Sequence, residues 1–401
     1  MDTTENTKIS YLRISNGISI ARIIAMLWIF STNYFSHFFY LFYKVDYQYA
    51  IGEAKNFIEV ISSRGWLIDR IYSVFAYAGW SGVIAFAFLT GFSLWFSILK
   101  SKNFKIDNYI IKRFNSIYVS YFFSIIIAFS IGVLLLNITP KHMDLSALIM
   151  GTAKFVPSIY EYNPPMWFIT ALFLLYLFFP IIPIIYNKFR FKGLLLLTLL
   201  SYAFYTYFEL SRYHINSLLY PLMPFWVVLC IGVLTVHLFF KYSKKLINSK
   251  RINIILHSSI IFIGVYLLYK YLFIEPATNL EVPWSIKNYF SVGVIGALVF
   301  FSIGYLLPYK FHKVIRWLSR GTFAVFLYHY IILRLLIPLI TRYIKSPSFA
   351  TPHIFTSHIS ITLISIYFIL LICLSVFQYF FDKTIIKYTT KLSSKEYKIT
   401  E

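Results

Sequence analysis

Three polar residues recur along an apolar stretch near the start of the chain: Arg22, Asn33 and His37. At about 100° per residue, Asn33 and His37 would lie about 20° and 60° around a helix from Arg22, so all three share one face. A guanidinium can orient a donor or stabilise developing charge, and an imidazole can act as a general base. Because a guanidinium in lipid costs on the order of 3 kcal/mol, we expect this face to line an interior cavity. The alternative is an Arg22 side chain that extends to the inner membrane surface.

A second polar set lies near the end of the chain, in Gly321-Thr-Phe-Ala-Val-Phe-Leu-Tyr-His329, with Arg334 shortly after. By count, His329 falls near the middle of a membrane span. A single buried histidine is commonly a structural hydrogen-bond partner. It becomes a candidate for chemistry only if its helix faces the first one.

A third feature is the basic segment 100–113, which ends in Lys112 and Arg113. Such a segment can set the orientation of neighbouring spans, or it can contact the phosphates of a cytoplasmic donor. We assign no metal site and expect no permanently bound cofactor.

The composition indicates which elements must position these residues. Hydrophobic residues make up 59% of the 401 positions and charged residues 13%, far from the balance of a water-soluble domain. The chain is therefore expected to fold in a lipid bilayer. Its net charge of +22 comes from basic residues that flank apolar runs rather than from a separate basic domain. This distribution argues against a nucleic-acid partner.

The apolar runs predict an all-α, polytopic membrane helix bundle of about ten spans. Pro-containing breaks separate several of these spans, and no separate soluble domain is expected, so residues 1–401 form one predicted transmembrane domain. The first apolar stretch lacks a cleavage pattern and is interpreted as a retained helix. The predicted spans are 18–43, 72–99, 114–138, 166–186, 193–208, 218–240, 252–269, 288–307, 321–341 and 355–381.

The charges between the spans predict orientation. If the N-terminus is inside, the inner segments carry 24 of the 37 Lys and Arg residues and the outer segments 11. Positive residues concentrate on the cytoplasmic side of membrane proteins, so both termini are predicted to be cytoplasmic. All 15 acidic residues lie outside the predicted spans or at their ends. This excludes a transporter with a carboxylate buried in a span, and a paired-carboxylate glycosidase site within the bundle.

The order of these segments resembles the acyltransferase-3 family of membrane O-acyltransferases. That family begins with an Arg and, after ten residues, a His on the first helix; here the two positions are Arg22 and Asn33. The similarity continues in order along nearly the whole chain. The further matching segments are Leu89-Thr-Gly-Phe92, Arg113-Phe-Asn-Ser-Ile-Tyr-Val119, Met166-Trp-Phe-Ile, Tyr176-Leu-Phe-Phe-Pro180 and Thr322-Phe-Ala-Val-Phe-Leu-Tyr-His329.

The resemblance implies a multi-pass plasma-membrane enzyme that takes an acyl group, typically acetyl, from cytoplasmic acyl-coenzyme A. The acceptor would be a hydroxyl of a cell-envelope glycan or lipid-linked saccharide. On this interpretation Arg22 orients the donor or stabilises charge, Asn33 lines the site, and His37 or His329 is the base. His37 lies nearer the outer end of its helix, where an outer-face acceptor would arrive. The expected substrate-binding residues are Lys112, Arg113, Trp167 and Arg334.

Three positions depart from the family pattern: Asn33 replaces the first-helix His, Ser116 the second loop Arg, and Val119 the Pro. An amide has no useful proton affinity near neutral pH, whereas an imidazole does. A new base, a new substrate and a loss of activity each remain open. The alternatives to an enzyme are therefore a non-catalytic family member and a subunit for polysaccharide translocation or assembly.

Overall fold

The computed structural model describes residues 3–43, 79–100, 105–136, 167–210, 222–246, 250–271, 286–344 and 355–386. Throughout these ranges the regular secondary structure is helical, with no strand. The predicted all-α class is confirmed. The α-helices of these ranges are α1 Thr3–Tyr43, α2 Trp80–Lys100, α3 Ile106–Leu136, α4 Trp167–Phe178, α5 Ile181–Leu210, α6 Leu222–Leu246, α7 Lys250–Tyr269, α8 Ile286–Leu306, α9 His312–Ile344 and α10 Phe355–Phe381.

The helices follow the predicted spans closely, and the largest difference lies between 166 and 208. The predicted break at 187–192 is present as a kink within α5, which runs from Ile181 to Leu210. The kink is at Arg190, whose φ of 54° and ψ of −144° are not helical. A second break, at Phe179-Pro180, separates α4 from α5 and was not predicted, since it lies inside the predicted span 166–186. Pro180 ends the preceding hydrogen-bond pattern because proline lacks an N–H and clashes with the helical turn before it.

Six helical stretches of the described residues are long and apolar enough to cross a membrane: Tyr11–Asn33, Ser81–Lys100, Ile106–Ile127, Met223–Phe240, Arg251–Tyr269 and Ile364–Thr384. Two bent pairs qualify when each is counted as one broken span. These are Phe168–Phe178 with Ile181–Tyr207, bent by 49°, and Phe290–Leu306 with Tyr309–Leu333, bent by 103°. The chain is a multi-pass membrane protein, and ten crossings stay a prediction.

Large apolar side chains are exposed on several helices. On α7, Phe262 is 79% exposed; on α5, Leu196 is 58% exposed, and on α10, Ile369 is 60% exposed. A water-soluble protein rarely presents long apolar faces to its solvent. These faces are suited to lipid.

The helices form two compact units. The first contains Met1–Phe86 and Leu246–Ser375, and the second contains Ala87–Lys245 and Val376–Glu401. The first unit therefore holds α1, α7, α8, α9 and most of α10. The prediction of one domain over residues 1–401 stays a prediction.

In the first unit, α1 and α8 cross at glycine. A Cβ added to Gly304 would lie 2.8 Å from the Asn16 carbonyl oxygen and 2.9 Å from Gly17 Cα. Only a residue without a side chain allows this approach, which is a common device where membrane helices pack. A hydrogen bond of 2.6 Å from the Tyr367 hydroxyl to the Ile23 carbonyl oxygen joins α10 to α1.

In the second unit, α2 and α6 cross reciprocally. A Cβ on Gly91 would clash with the Leu229 carbonyl oxygen, and a Cβ on Gly232 would clash with the Phe88 carbonyl oxygen. Each helix thus offers a glycine to the backbone of the other.

Candidate functional site

Asn33 of α1 and His329 of α9 meet inside the first unit. The Asn33 side-chain nitrogen Nδ2 lies 2.9 Å from His329 Nε2. His329 Nδ1 lies 2.9 Å from the carbonyl oxygens of Val325 and Phe326. Because a carbonyl oxygen can only accept, the Nδ1 atom must carry the proton. The Asn33 amide then donates to the Nε2 lone pair, and the whole arrangement fits a neutral imidazole.

The site around this pair is apolar and aromatic. His329 is fully buried, while Asn33 is half-buried. The rings of Phe30 and Phe326 have centroids 6.2 and 6.1 Å from the His329 ring. The Tyr367 ring in turn packs 5.5 Å from Phe30. The imidazole is therefore held by its two backbone acceptors, by Asn33 and by ring packing.

This arrangement places a basic nitrogen at the centre of the site. In the tautomer that these contacts imply, Nε2 of His329 is the only atom of that ring able to accept a proton. Any hydroxyl that reaches Nε2 must approach on the side where Asn33 donates, and must displace or share that hydrogen bond. The pair can hold a hydroxyl for deprotonation, and Asn33 itself can only orient it.

Arg22 lies on the same helix as Asn33, eleven residues earlier, and is half-buried. At about 1.5 Å rise per residue, the two positions are separated by about 16 Å along α1. Arg22 and Asn33 are therefore too far apart along α1 to contact the same small group. The predicted cavity lined by Arg22 and Asn33 stays a prediction.

Four of the predicted site residues have backbone positions but no described side chain. These are His37 on α1, Lys112 on α3, Trp167 at the start of α4, and Arg334 on α9. The predictions about their side chains lie outside the described part of the chain.

Arg113 belongs to the second unit and is half-buried. Its guanidinium carbon lies 5.9 Å from the Tyr109 ring centroid and 5.6 Å from that of Tyr176. The Tyr109 hydroxyl also donates to the Tyr176 carbonyl oxygen at 3.4 Å. Cation–π contacts of this kind hold the planar group in place without neutralising its charge.

Sequence reasoning missed a polar cluster at the other end of the first unit, made of two hydrogen-bonded pairs. Asn16 and His312 join α1 to the start of α9, and His257 and Ser302 join α7 to α8. All of these residues except His312 are buried. Polar residues in apolar runs were a visible signal at Asn16, His257 and Ser302. Their meeting was not visible, because the four residues come from distant parts of the sequence.

A family model described as an acyltransferase domain matches residues 15–381, a range that contains every predicted site residue. No curated protein and no solved structure matches the chain significantly.

Proposed function

This chain belongs to the acyltransferase-3 family, and from that premise we propose that it transfers an acyl group, typically acetyl, from cytoplasmic acyl-coenzyme A to a hydroxyl. The acceptor in this proposal is a cell-envelope glycan or a lipid-linked saccharide at the plasma membrane. The family match supports a membrane acyltransferase in general. The donor, the acyl group, the acceptor and the formation of an O-acyl ester are our proposal.

The observation that carries the proposal is the contact between Asn33 and His329. Asn33 stands where the family's first-helix histidine falls, and an amide there cannot remove a proton. His329 brings an imidazole to the same place from α9. We therefore assign the base to His329 and the positioning of its ring to Asn33. His37, one helical turn beyond Asn33, is the second candidate base.

The proposed reaction is a direct acyl transfer. His329 Nε2 accepts the proton of the acceptor hydroxyl while the hydroxyl oxygen bonds to the thioester carbonyl carbon. The carbon–sulfur bond then breaks, and the imidazolium returns the proton to the departing coenzyme A sulfur. The products are an ester and a free thiol. Hydrogen-bond donors near the carbonyl oxygen would stabilise its developing negative charge.

Charged residues would bind the remote parts of the donor. Arg22 lies about 16 Å from Asn33 along α1, so it suits the orientation of the donor rather than the reacting carbonyl. Arg113, held over two tyrosine rings, and Lys112 are proposed contacts for donor phosphates. Trp167 and Arg334 complete the proposed substrate-binding set.

The test is transfer from labelled acetyl-coenzyme A by the purified full-length protein in lipid nanodiscs, with donor binding measured separately. His329→Ala is expected to lose about a hundredfold to ten-thousandfold of transfer, the usual contribution of a general base, while it still binds donor. His237→Ala, which removes a half-buried imidazole of the second unit, controls for the general cost of losing such a ring.

His37→Ala separates the two candidate bases. Loss of transfer in His37→Ala with full transfer in His329→Ala would assign the base to His37 instead. A wild-type protein that binds donor or saccharide but transfers nothing would contradict the enzyme. It would favour a non-catalytic role in polysaccharide translocation or assembly.

A further inference from the structure

Asn16 of α1 is fully buried, and its side chain is only half satisfied among the described residues. Its Oδ1 atom lies 2.8 Å from His312 Nδ1, from which it accepts a hydrogen bond. Its Nδ2 atom is buried and has no hydrogen-bond partner there. The contact with His312 fixes the amide plane, so the NH2 group is directed away from His312. Buried donors without an acceptor are rare in native proteins and call for an explanation.

A second donor lies beside the first. Arg13 precedes Asn16 by three residues, so the two side chains are neighbours on the surface of α1. The Arg13 Nε atom is also buried and has no hydrogen-bond partner within the described part of the chain. A guanidinium and an amide thus present N–H groups on the same side of one helix.

The surroundings of these donors come from other helices. A Cβ added to Gly17 of α1 would lie 2.6 Å from the Phe301 ring of α8, and the Phe301 and His257 rings have centroids 6.0 Å apart. The His257 ring is fixed in turn, since Nδ1 lies 3.0 Å from the Ser302 hydroxyl and the ring stacks on Tyr305 with centroids 3.9 Å apart. The glycine crossing at Gly304 keeps α8 against α1 next to Asn16. The packing of these helices therefore holds the two donors in place.

The charge around this cluster is positive. Of the side chains that the structure describes in the first unit, none is a carboxylate. The helix that carries His312 adds the exposed residues Lys313, Arg316 and Arg320 on its first turns. Directed N–H groups and positive charge with no carboxylate among them suit an anion with several acceptor oxygens, and a phosphate group has this chemistry.

We propose that Arg13 and Asn16 form a binding site for a phosphate group at this end of the first unit. Arg13 lies near the start of Tyr11–Asn33, the stretch of α1 that is long and apolar enough to cross a membrane. The site therefore lies at the level of one membrane surface, which the basic flanking residues predict to be the cytoplasmic one. The phosphate belongs either to a lipid headgroup or to a soluble ligand such as the acyl donor. The site does not depend on the transfer reaction.

The test uses thermal unfolding of the full-length protein in neutral detergent. Three probes are titrated separately: inorganic phosphate, acetyl-coenzyme A, and phosphatidylglycerol with phosphatidylcholine as the uncharged comparison. We expect at least one probe to raise the unfolding temperature. Its apparent affinity should fall about tenfold in Arg13→Gln, as expected for one lost hydrogen bond to a charged group. Arg13→Lys keeps the charge but lacks the Nε–H group, so its affinity should lie between those of the wild type and Arg13→Gln.

Matched variants distinguish binding at Arg13 and Asn16 from a general effect of positive charge on the protein. Arg251→Gln removes an equal charge from an exposed position on α7 and should leave the affinity unchanged. Asn16→Leu should weaken binding as Arg13→Gln does; if this buried variant fails to fold, the Arg13 variants still decide the result. Equal weakening in Arg13→Gln and Arg251→Gln, or no weakening in either, would overturn the proposal.

The probe that responds identifies the source of the phosphate. A response to phosphatidylglycerol alone supports a lipid headgroup, and a response to acetyl-coenzyme A or inorganic phosphate supports a soluble ligand. Transfer activity with no Arg13-dependent binding would contradict the phosphate site and leave the proposed function supported. Arg13-dependent binding with no transfer by the wild type would support the phosphate site and contradict the proposed function.

Discussion

At the scale of single residues, the main feature of this protein is the contact between Asn33 and His329. The two side chains are 296 positions apart in sequence, yet their nitrogen atoms lie 2.9 Å apart. The carbonyl oxygens of Val325 and Phe326 fix the proton of His329 on Nδ1. His329 Nε2 then accepts a hydrogen bond from the Asn33 amide. In the proposed reaction Asn33 therefore positions the base, His329, and does not act as a base itself.

The residue-scale prediction compares two replacements of Asn33. Asn33→Leu removes the donor to Nε2, so transfer should fall by up to about tenfold, as for the loss of one orienting hydrogen bond. Asn33→His should raise transfer, because an imidazole can donate to His329 and also accept a proton. Transfer is measured with labelled acetyl-coenzyme A, and donor binding in both variants serves as the control. Wild-type transfer by Asn33→Leu would contradict the positioning role.

At the scale of helices, the first unit depends on how closely α1 and α8 approach. The Gly304 position is enclosed by atoms that cannot move away, namely the Asn16 carbonyl oxygen and Gly17 Cα, together with Ile20 Cβ at 2.7 Å from an added Cβ. The same crossing holds the Asn16 side chain beside α9. Packing of these two helices and the polar cluster beside them are therefore coupled.

The element-scale prediction is that Gly304→Ala destabilises the protein. One added methyl group must separate the two backbones, and overpacking of this kind typically costs about 1–3 kcal/mol. Thermal unfolding in detergent measures the effect. Gly264→Ala is the control, because the three atoms nearest its added Cβ belong to the side chains of Val299 and Ile295 and none belongs to the backbone. The control should lose less stability; an equal or greater loss would show that the crossing at Gly304 is not specially tight.

At the scale of the whole molecule, the distribution of charge predicts the topology. With both termini inside, the inner segments carry 24 basic residues and the outer segments 11. Such an asymmetry typically sets the orientation of a multi-pass protein. The proposed reaction requires this orientation, because its proposed donor is cytoplasmic and its proposed acceptor belongs to the cell envelope.

The topology prediction is tested with single cysteines in a background that lacks Cys230 and Cys373. A membrane-impermeant thiol reagent applied to intact cells should modify cysteines near 55, 150, 280 and 348. It should leave those near 105, 190, 246 and 315 unmodified until the membrane is permeabilised. Modification at 246 in intact cells would show that this position is outside and would contradict the predicted topology.

The sequence by itself determined the class of fold, the position of nearly every helix and the family. These features depend on local composition, because a lipid-spanning segment must satisfy its own backbone hydrogen bonds and cover them with apolar side chains. The main boundary that local composition missed is the break at Phe179-Pro180, inside the predicted span 166–186. Pro180 was visible in the sequence, but proline also occurs inside membrane-spanning helices, so it did not identify a break by itself.

Only the tertiary structure decided which polar residues meet. Helical spacing placed Arg22 and Asn33 on one face of α1, but it could not bring His329 to Asn33 or His312 to Asn16. These contacts depend on which helices are neighbours, and close approach at positions such as Gly304 sets that choice. Glycine appears in membrane helices for several reasons, so its partner cannot be read from one sequence. Long-range packing therefore determined which imidazole faces the Asn33 amide and which polar side chain contacts Asn16.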